Sequence, residues 1–535
     1  MHRLGARLLR FPAPSARPGV AQRIAAIDIG SNSIRQIVAD VAPDGAIRIV
    51  DEMKAAPRLG VGLTATGRLA DGPMDAALDA LVRMATLARQ LGAQRIEAVA
   101  TSAVRDAENG THFLARVRRE TSLRPRLLEG EAEARLAFRS ALAHFELGRG
   151  RAVVMDIGGG SLELALAVEG VVERFASLPF GAIRLTEMFL AGRPPGKGVK
   201  KLRRHVRAAV KKALPVRDWR GADVFGSGGT CTNLAGMYLA RQGVQVRGIH
   251  GTQIPRHEVE LLLDRLAPMP VADRLAVPGL NHGRADIIVA GLAVAAEVLA
   301  RIEPRHLTTS AYGIREGLLL ESAQVTPVVA DPGEARARSV QSFAERCHVE
   351  VSHAWQVRAL AVQLFDAVGR RLGCTASERD TLADAALLHD AGYHIGHERH
   401  HKHSFHLIAH ADLLGIAPDE QLEMAHVARY HRGRPPRRSH ARWWALPRAT
   451  RERVRRLAAL LRVADGLDRG HAGAIAQVKV RWSDRALRIT PIPRRPGDPL
   501  RLEVWGGARK AGLLADVAGA PVEIVGPDGV VVRDD

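Results

Sequence analysis

Two carboxylates, Asp156 and Glu163, flank a glycine turn in the stretch Ala152-Val-Val-Met-Asp-Ile-Gly-Gly-Gly-Ser-Leu-Glu163. Residues 152–155 are continuously apolar and read as a buried strand that Asp156 ends. Gly158, Gly159 and Gly160 make a tight turn whose N–H groups can approach an anion, and residues 161–167 resume as a second strand. A carboxylate, a glycine turn and a second carboxylate form a cradle suited to a phosphate and its metal ion. The pattern occurs again in Ile24-Ala-Ala-Ile-Asp-Ile-Gly-Ser-Asn-Ser-Ile-Arg35. Asp28 matches Asp156, Gly30 matches Gly158, Ser33 matches Ser161 and Arg35 matches Glu163. One such turn is an ordinary hairpin; two matched copies point to two similar domains facing one phosphate site.

A terminal phosphoryl group needs an in-line water and neutralised equatorial oxygens. Donors are available on Gly30, Ser31, Asn32 and Ser33, on Gly158, Gly159, Gly160 and Ser161, and on a third turn containing Gly228, Gly229 and Thr230. Arg35 and Arg105 stand where they can supply positive charge, and Asp156 and Glu163 can hold Mg²⁺. No Walker lysine motif is present, and no Cys or His nucleophile motif stands beside these turns, which favours direct attack by water. Glu133 sits on a helix just before the second cradle, where a carboxylate can bind a cation, take a proton from water, or form part of a solvated helix face.

The elements that must carry these residues alternate. Residues 24–56 give three strands, a helix follows Asp71-Gly-Pro, a strand runs over 96–100, and helices follow Asn109 and Glu131. Residues 149–325 repeat the scheme, so the predicted class is α/β. The expected domains are 24–148, 149–325, a helical His-dense segment over 335–474 and a small α/β module over 475–535, behind a disordered basic tail at 1–23. A linker is expected near 325–334.

Among 535 residues, 77 Lys+Arg stand against 57 Asp+Glu, a net charge of +20 that attracts polyanions unless it reflects coding bias alone. A basic helix running from Gly196 to Arg220 reads as a solvated face or a polyanion contact. Aromatics are only 4%, which argues against base stacking, so no nucleic acid partner is expected. No apolar run reaches transmembrane length, and three cysteines without metal spacing fit a cytoplasmic protein.

In order along residues 24–320, the two cradles, Ala100-Thr-Ser-Ala-Val-Arg105, Gly130-Glu-Ala-Glu-Ala-Arg135, Gly226-Ser-Gly-Gly-Thr230 and Gly313-Ile-Arg-Glu-Gly317 resemble the exopolyphosphatase and guanosine pentaphosphate phosphohydrolase family. The resemblance implies two ribonuclease H-like domains of the actin and sugar-kinase type and a site in the cleft between them. It implies Mg²⁺-dependent release of the terminal phosphate of inorganic polyphosphate, or of the 5′ γ-phosphate of guanosine pentaphosphate, with Glu133 as catalytic glutamate and Asp156 and Glu163 as cradle acids. A homodimer is expected. The second half resembles the all-α HD-type domain of longer family members, with His353, His389, Asp390 and Asp465 at its signature positions. Two readings stand there: a second metal site, or a structural His-rich bundle. His400, His401 and His403 read as polyanion contacts or helix caps. Besides the two phosphatase readings, a non-catalytic polyanion- or nucleotide-binding module and a sugar or acetate kinase are the alternatives. The intact carboxylates speak against the module, and the His-rich half and Glu133 motif against the kinase.

Overall fold

Residues 151–157 (Arg-Ala-Val-Val-Met-Asp-Ile) bury both faces of one strand, and the alternation shows what covers each. Val153, Met155 and Ile157 pack with the helix Ile288–Ile302, while Ala152 and Val154 pack with Ala137, Phe138 and Ala141 of the helix Gly130–His144. The computed structural model describes residues 21–43, 45–145, 147, 150–192, 197–244, 248–325, 332–411, 413 and 415–533. Most of the expected tail (1–20), most of the expected linker (326–331) and Gly196 lie outside the described residues.

Two mixed sheets carry the first 325 residues. The first contains β1 (Gln22–Ile29), β2 (Ile34–Val41), β3 (Ile47–Ala55), β4 (Arg95–Ala100) and β5 (Arg126–Leu127), in the order β3-β2-β1-β4-β5. The second contains β6 (Arg151–Ile157), β7 (Leu162–Val168), β8 (Val171–Leu178), β9 (Asp223–Ser227), β10 (Gln253–Pro255) and β11 (His306–Thr309), in the order β10-β11-β9-β6-β7-β8. With β6 in the place of β1, β7 of β2, β8 of β3, β9 of β4 and β11 of β5, the second sheet repeats the first in order and strand direction, and β10 adds an antiparallel edge. This is the ribonuclease H-like arrangement of the actin and sugar-kinase type. The register repeats as well: Asp28 faces Arg35 across β1–β2, and Asp156 faces Glu163 across β6–β7. Both hairpins close on one bond, Gly30 N–H to Ser33 O at 3.2 Å and Gly158 N–H to Ser161 O at 3.0 Å.

Two helices cross between the sheets. Gly130–His144 follows β5 in sequence yet packs on β6. Ile314–Ser322 follows β11, yet its Leu318, Leu319 and Leu320 pack with Ile24, Ala26, Ile37 and Ala39 of β1 and β2. A Cβ on Gly317 would lie 2.1 Å from Leu136 O, so the two helices touch backbone to backbone. Their N-terminal turns, carrying Glu133 and Glu316, therefore both reach the cleft.

The basic helix, Lys197–Ala213, buries Leu202, Val206 and Val210 at four-residue spacing. Arg203 and Arg207 on its flank hold the buried Glu297 at 2.6 and 2.8 Å, while Lys200, Lys201, Arg204, Lys211 and Lys212 face solvent. Two of its charges thus serve ion pairs within the fold.

From Pro332 to Gly466 the elements are helical: Pro332–Arg346, Val351–Val368, Glu378–Leu388, His400–Ala409, Pro418–Arg429 and Arg448–Gly466 are the main ones. A third sheet follows, β12 (Ile475–Trp482), β13 (Leu487–Pro493), β14 (Val522–Val525) and β15 (Val531–Val532), in chain order. Leu360, Leu388, Val427 and Leu460 share one core with Ile475, Leu487, Ile489 and Ile524, so the helices and the third sheet bury a common apolar interior. Among the described residues no helix is long and apolar enough to cross a membrane.

Candidate active site

The two hairpin turns meet face to face. Ser31 Oγ lies 3.0 Å from Ser102 Oγ, both buried. A Cβ on Gly159 would come within 3.0 Å of Ser31 Cβ and 3.1 Å of Asn32 N, so a glycine lets the turns approach. Between them lies a cavity of about 100 Å³. Gly30, Ser31, Asn32, Ser33, Arg35, Glu133, Asp156, Gly158, Gly159, Ser161, Glu163, Gly228 and Gly229 all line it.

Three residues expected there stand behind the wall. Arg105 is turned to Glu133, its Nη1 2.5 Å from Glu133 Oε1 and 2.6 Å from Leu128 O. Gly160 packs against Ser102, to which an added Cβ would come within 2.1 Å. Thr230 faces Gly291, and Thr232, two residues further along the helix, lines the cavity instead. Gly228 adopts φ +82°, and a Cβ there would lie 2.4 Å from Asp156 Oδ1, so its backbone passes directly against the carboxylate.

The lining adds residues that sequence reasoning did not nominate for the site: Asp28, Thr101, Ser102, Arg284, Arg315 and Glu316. Asp28 and the Arg315–Glu316 pair stood in the quoted motifs, so a signal for them existed. Arg284 had none. It ends the single 3-10 turn His282–Arg284, is 5% exposed, and its guanidinium sits over Gly229, where an added Cβ would meet Cζ at 1.8 Å. Ser227 Oγ donates to Asp156 Oδ2 at 2.9 Å, Ser177 Oγ to Glu163 Oε1 at 3.2 Å, and Gly313 N–H to Glu316 Oε2 at 2.7 Å.

The electrostatics are those of crowded buried acids. Burial pushes Asp28 up to about 6, against the pull of Arg35 and Arg315. Burial pushes Glu133 up to about 8, opposed by the hydrogen bond from Arg105. Burial, and then the neighbouring Glu133, holds Glu163 well above the usual carboxylate range. Asp156 is also raised by burial. On the other side, burial and the neighbouring Arg35 pull Arg284 down to about 10. Asp28 Oδ1 is a buried carboxylate oxygen without a hydrogen-bond partner. Acids raised in concert and an orphan carboxylate oxygen are what a hard divalent cation would relieve, and an all-oxygen donor set suits Mg²⁺. The arginines and the turn N–H groups provide the matching contacts for an anion.

The four residues expected at a second metal site also meet. His353 Nε2 lies 3.8 Å from Asp390 Oδ2 and 3.7 Å from Asp465 Oδ1, and His389 Nε2 lies 3.4 and 3.9 Å from the same two atoms.

The model of the Ppx/GppA phosphatase family matches residues 37–325, and that of Ppx/GppA phosphatase domain III matches residues 335–490. Among solved structures, an exopolyphosphatase from Cytophaga hutchinsonii aligns at 25% identity and TM-score 0.53, covering 58% of this chain and 100% of its own. An exopolyphosphatase-like protein aligns at 26% and 0.53, covering 57% and 99%. The Aquifex aeolicus Ppx/GppA family member aligns at 29% and 0.49, covering 57% and 98%. With a family model spanning more than half its length, laid over two matched cradles that face each other, this chain belongs to the Ppx/GppA phosphatase family.

Proposed function

We propose that the protein is an exopolyphosphatase that hydrolyses the terminal phosphate of inorganic polyphosphate in the cleft between the two sheets. The observation that carries the reading is a buried, arginine-held Glu133 beside two carboxylate-bearing phosphate cradles. The turn N–H groups and Arg35, Arg284 and Arg315 bind and orient the terminal phosphoryl group. The cavity of about 100 Å³ receives that group. Asp156 and Glu163, with Asp28, would hold Mg²⁺, which supplies charge neutralisation at the phosphoryl oxygens. Glu133 Oε1 is held by Arg105, so Oε2 takes the proton as water attacks phosphorus and the bridging P–O bond breaks. Burial of the carboxyl makes it a stronger base than a solvated glutamate once ionised.

The likeness to the Cytophaga hutchinsonii exopolyphosphatase supports polyphosphate over guanosine pentaphosphate. The helical half is read as an HD-type domain, and the exposed basic side chains as a path for long chains. Phosphate release from long polyphosphate and from guanosine pentaphosphate, each with Mg²⁺ at matched terminal-phosphate concentration, tests the reading. Faster release from polyphosphate is expected; release from guanosine pentaphosphate alone contradicts it.

A further inference from the structure

A cavity of about 750 Å³ lies away from the cleft, between the second sheet's half of the fold and the helical half. One wall is the C-terminal end of the helix Gly228–Arg241, with Tyr238, Leu239 and, just past it, Val244. The other comes from Phe405, from Leu422 and His426 one turn apart on Pro418–Arg429, and from Arg442, Ala445 and Leu446. Small-molecule sites commonly measure about 300–1,000 Å³, with mostly apolar walls and a few placed polar groups.

The apolar lining here is largely aliphatic: Leu239, Val244, Leu422, Ala445 and Leu446. Phe405 already carries the His426 ring at 4.7 Å and the guanidinium groups of Arg442 and Arg429 at 5.7 and 5.9 Å from its centroid. These walls match an alkyl body better than a planar base, which would need an open aromatic face.

The polar lining is cationic and uncompensated. Arg442 Nη1 lies 3.3 and 3.2 Å from the two His406 ring nitrogens, and the His406 and His410 rings are nearly parallel with centroids 6.2 Å apart. Among the described residues Arg442, His406 and His410 make no ion pair. Burial and the adjacent Arg442 hold His406 below its ordinary value, the mark of a crowded cationic corner. His426 completes that corner. It is 1% exposed, it lines the cavity, and its buried Nδ1 has no hydrogen-bond partner. Burial, then Arg429 and Arg442, push it down to about 3, so the ring is neutral and keeps one N–H to donate. The acids in the lining leave the corner uncompensated: Glu423 is held by Arg453, and the exposed Asp419 lies toward Tyr238 on the opposite wall.

We propose that this cavity binds an aliphatic carboxylate, its alkyl chain against Leu239, Val244, Leu422 and Leu446 and its carboxylate at the Arg442–His426 corner. A guanidinium takes both oxygens of a carboxylate, and a neutral imidazole N–H adds a further bond. The anion offsets the like charge that Arg442 imposes on His406 and His426, and each methylene that enters the cavity leaves water. The site shares no residue with the phosphate cradles, so the inference stands apart from the hydrolysis proposed above.

Isothermal titration calorimetry on the full chain tests it, with sodium laurate below the concentration at which it forms micelles. One laurate per chain is expected. Affinity should fall about fourfold for each methylene removed along laurate, decanoate and octanoate, the factor that burying one methylene contributes. Decanol, which has the chain without the charge, should bind about tenfold more weakly than decanoate. Arg442→Gln should cost laurate about tenfold. Ala445→Trp, at an exposed lining residue, fills the cavity and should abolish binding. Both variants are checked for fold by circular dichroism. No laurate binding, several equivalent laurates per chain, affinity that ignores chain length, or laurate affinity unchanged in Ala445→Trp overturns the site. Decanol binding as tightly as decanoate, or laurate affinity unchanged in Arg442→Gln, overturns the carboxylate as its head group.

Discussion

Arg105→Ala separates a residue that tunes Glu133 from one that touches substrate. Arg105 Nη1 lies 2.5 Å from Glu133 Oε1, and the two side chains are 17% and 3% exposed. Burial sets Glu133 near 8, and the arginine is the main force holding it down. A guanidinium beside a carboxylate lowers its pKa by about 1–3 pH units, so removing Arg105 should raise Glu133 by that amount. The sign follows from the role: a general base works only when ionised, so a higher pKa costs activity at low pH and returns it at high pH. Each unit is tenfold in the ionised fraction below the pKa, so kcat/KM at pH 7 should fall about 10–10³-fold. The plateau on the alkaline side should change far less, and Arg105→Lys should restore part of the loss. The assay is kcat/KM for phosphate release across roughly pH 6 to 10 in wild type and variants. If Arg105 contacts the substrate instead, KM rises at every pH and the acid limb stays in place. A limb that does not move, or moves down, refutes the tuning argument.

Three further outcomes are expected. Glu133→Gln keeps the acceptor for Arg105 and removes the base, so turnover should fall about 10²–10⁴-fold while polyphosphate binding, measured by equilibrium dialysis, survives. Asp156→Asn and Glu163→Gln each remove a charged oxygen from the cleft and should raise the Mg²⁺ concentration needed for half-maximal activity; unchanged titrations for both would remove these residues as ligands. On the full chain, KM for long polyphosphate should rise steeply with salt and KM for short chains less so, because each phosphate met by a basic side chain releases counterions. Arg434→Glu with Arg437→Glu and Arg438→Glu should flatten the long-chain slope, and an unaltered slope places the basic path elsewhere.

The hairpins were legible because the signal is local and doubled: apolar run, carboxylate, glycine turn, strand. Register then follows, since the turn fixes which residues face each other, and Asp28–Arg35 and Asp156–Glu163 come out as cross-strand pairs. What the sequence concealed depends on long-range packing. Gly130–His144 and Ile314–Ser322 each pack across to the opposite sheet, and only that crossing turns Arg105 toward Glu133 and brings Arg315 and Glu316 to the cavity. Arg284 is held by nothing in its own segment that marks it; its place is set by the close pass over Gly229. His400 and His431 were missed as inward groups for the same reason. They lie outside the local His-Asp signature, and three helices, Glu378–Leu388, His400–Ala409 and Pro418–Arg429, must pack before their Nε2 atoms meet Asp390. In sequence the basic helix reads as a solvated face or a polyanion contact, but Glu297, ninety residues away from Arg207, claims two of its arginines.

The central claim is hydrolysis at chain ends in the cleft, and the products of long polyphosphate test it most directly. With Mg²⁺ and wild-type protein, orthophosphate should be the only small product, the chains should shorten gradually, and end-blocked polyphosphate should resist. Fragments of intermediate length, cleavage of end-blocked chains, or no phosphate release while guanosine pentaphosphate is turned over would contradict it.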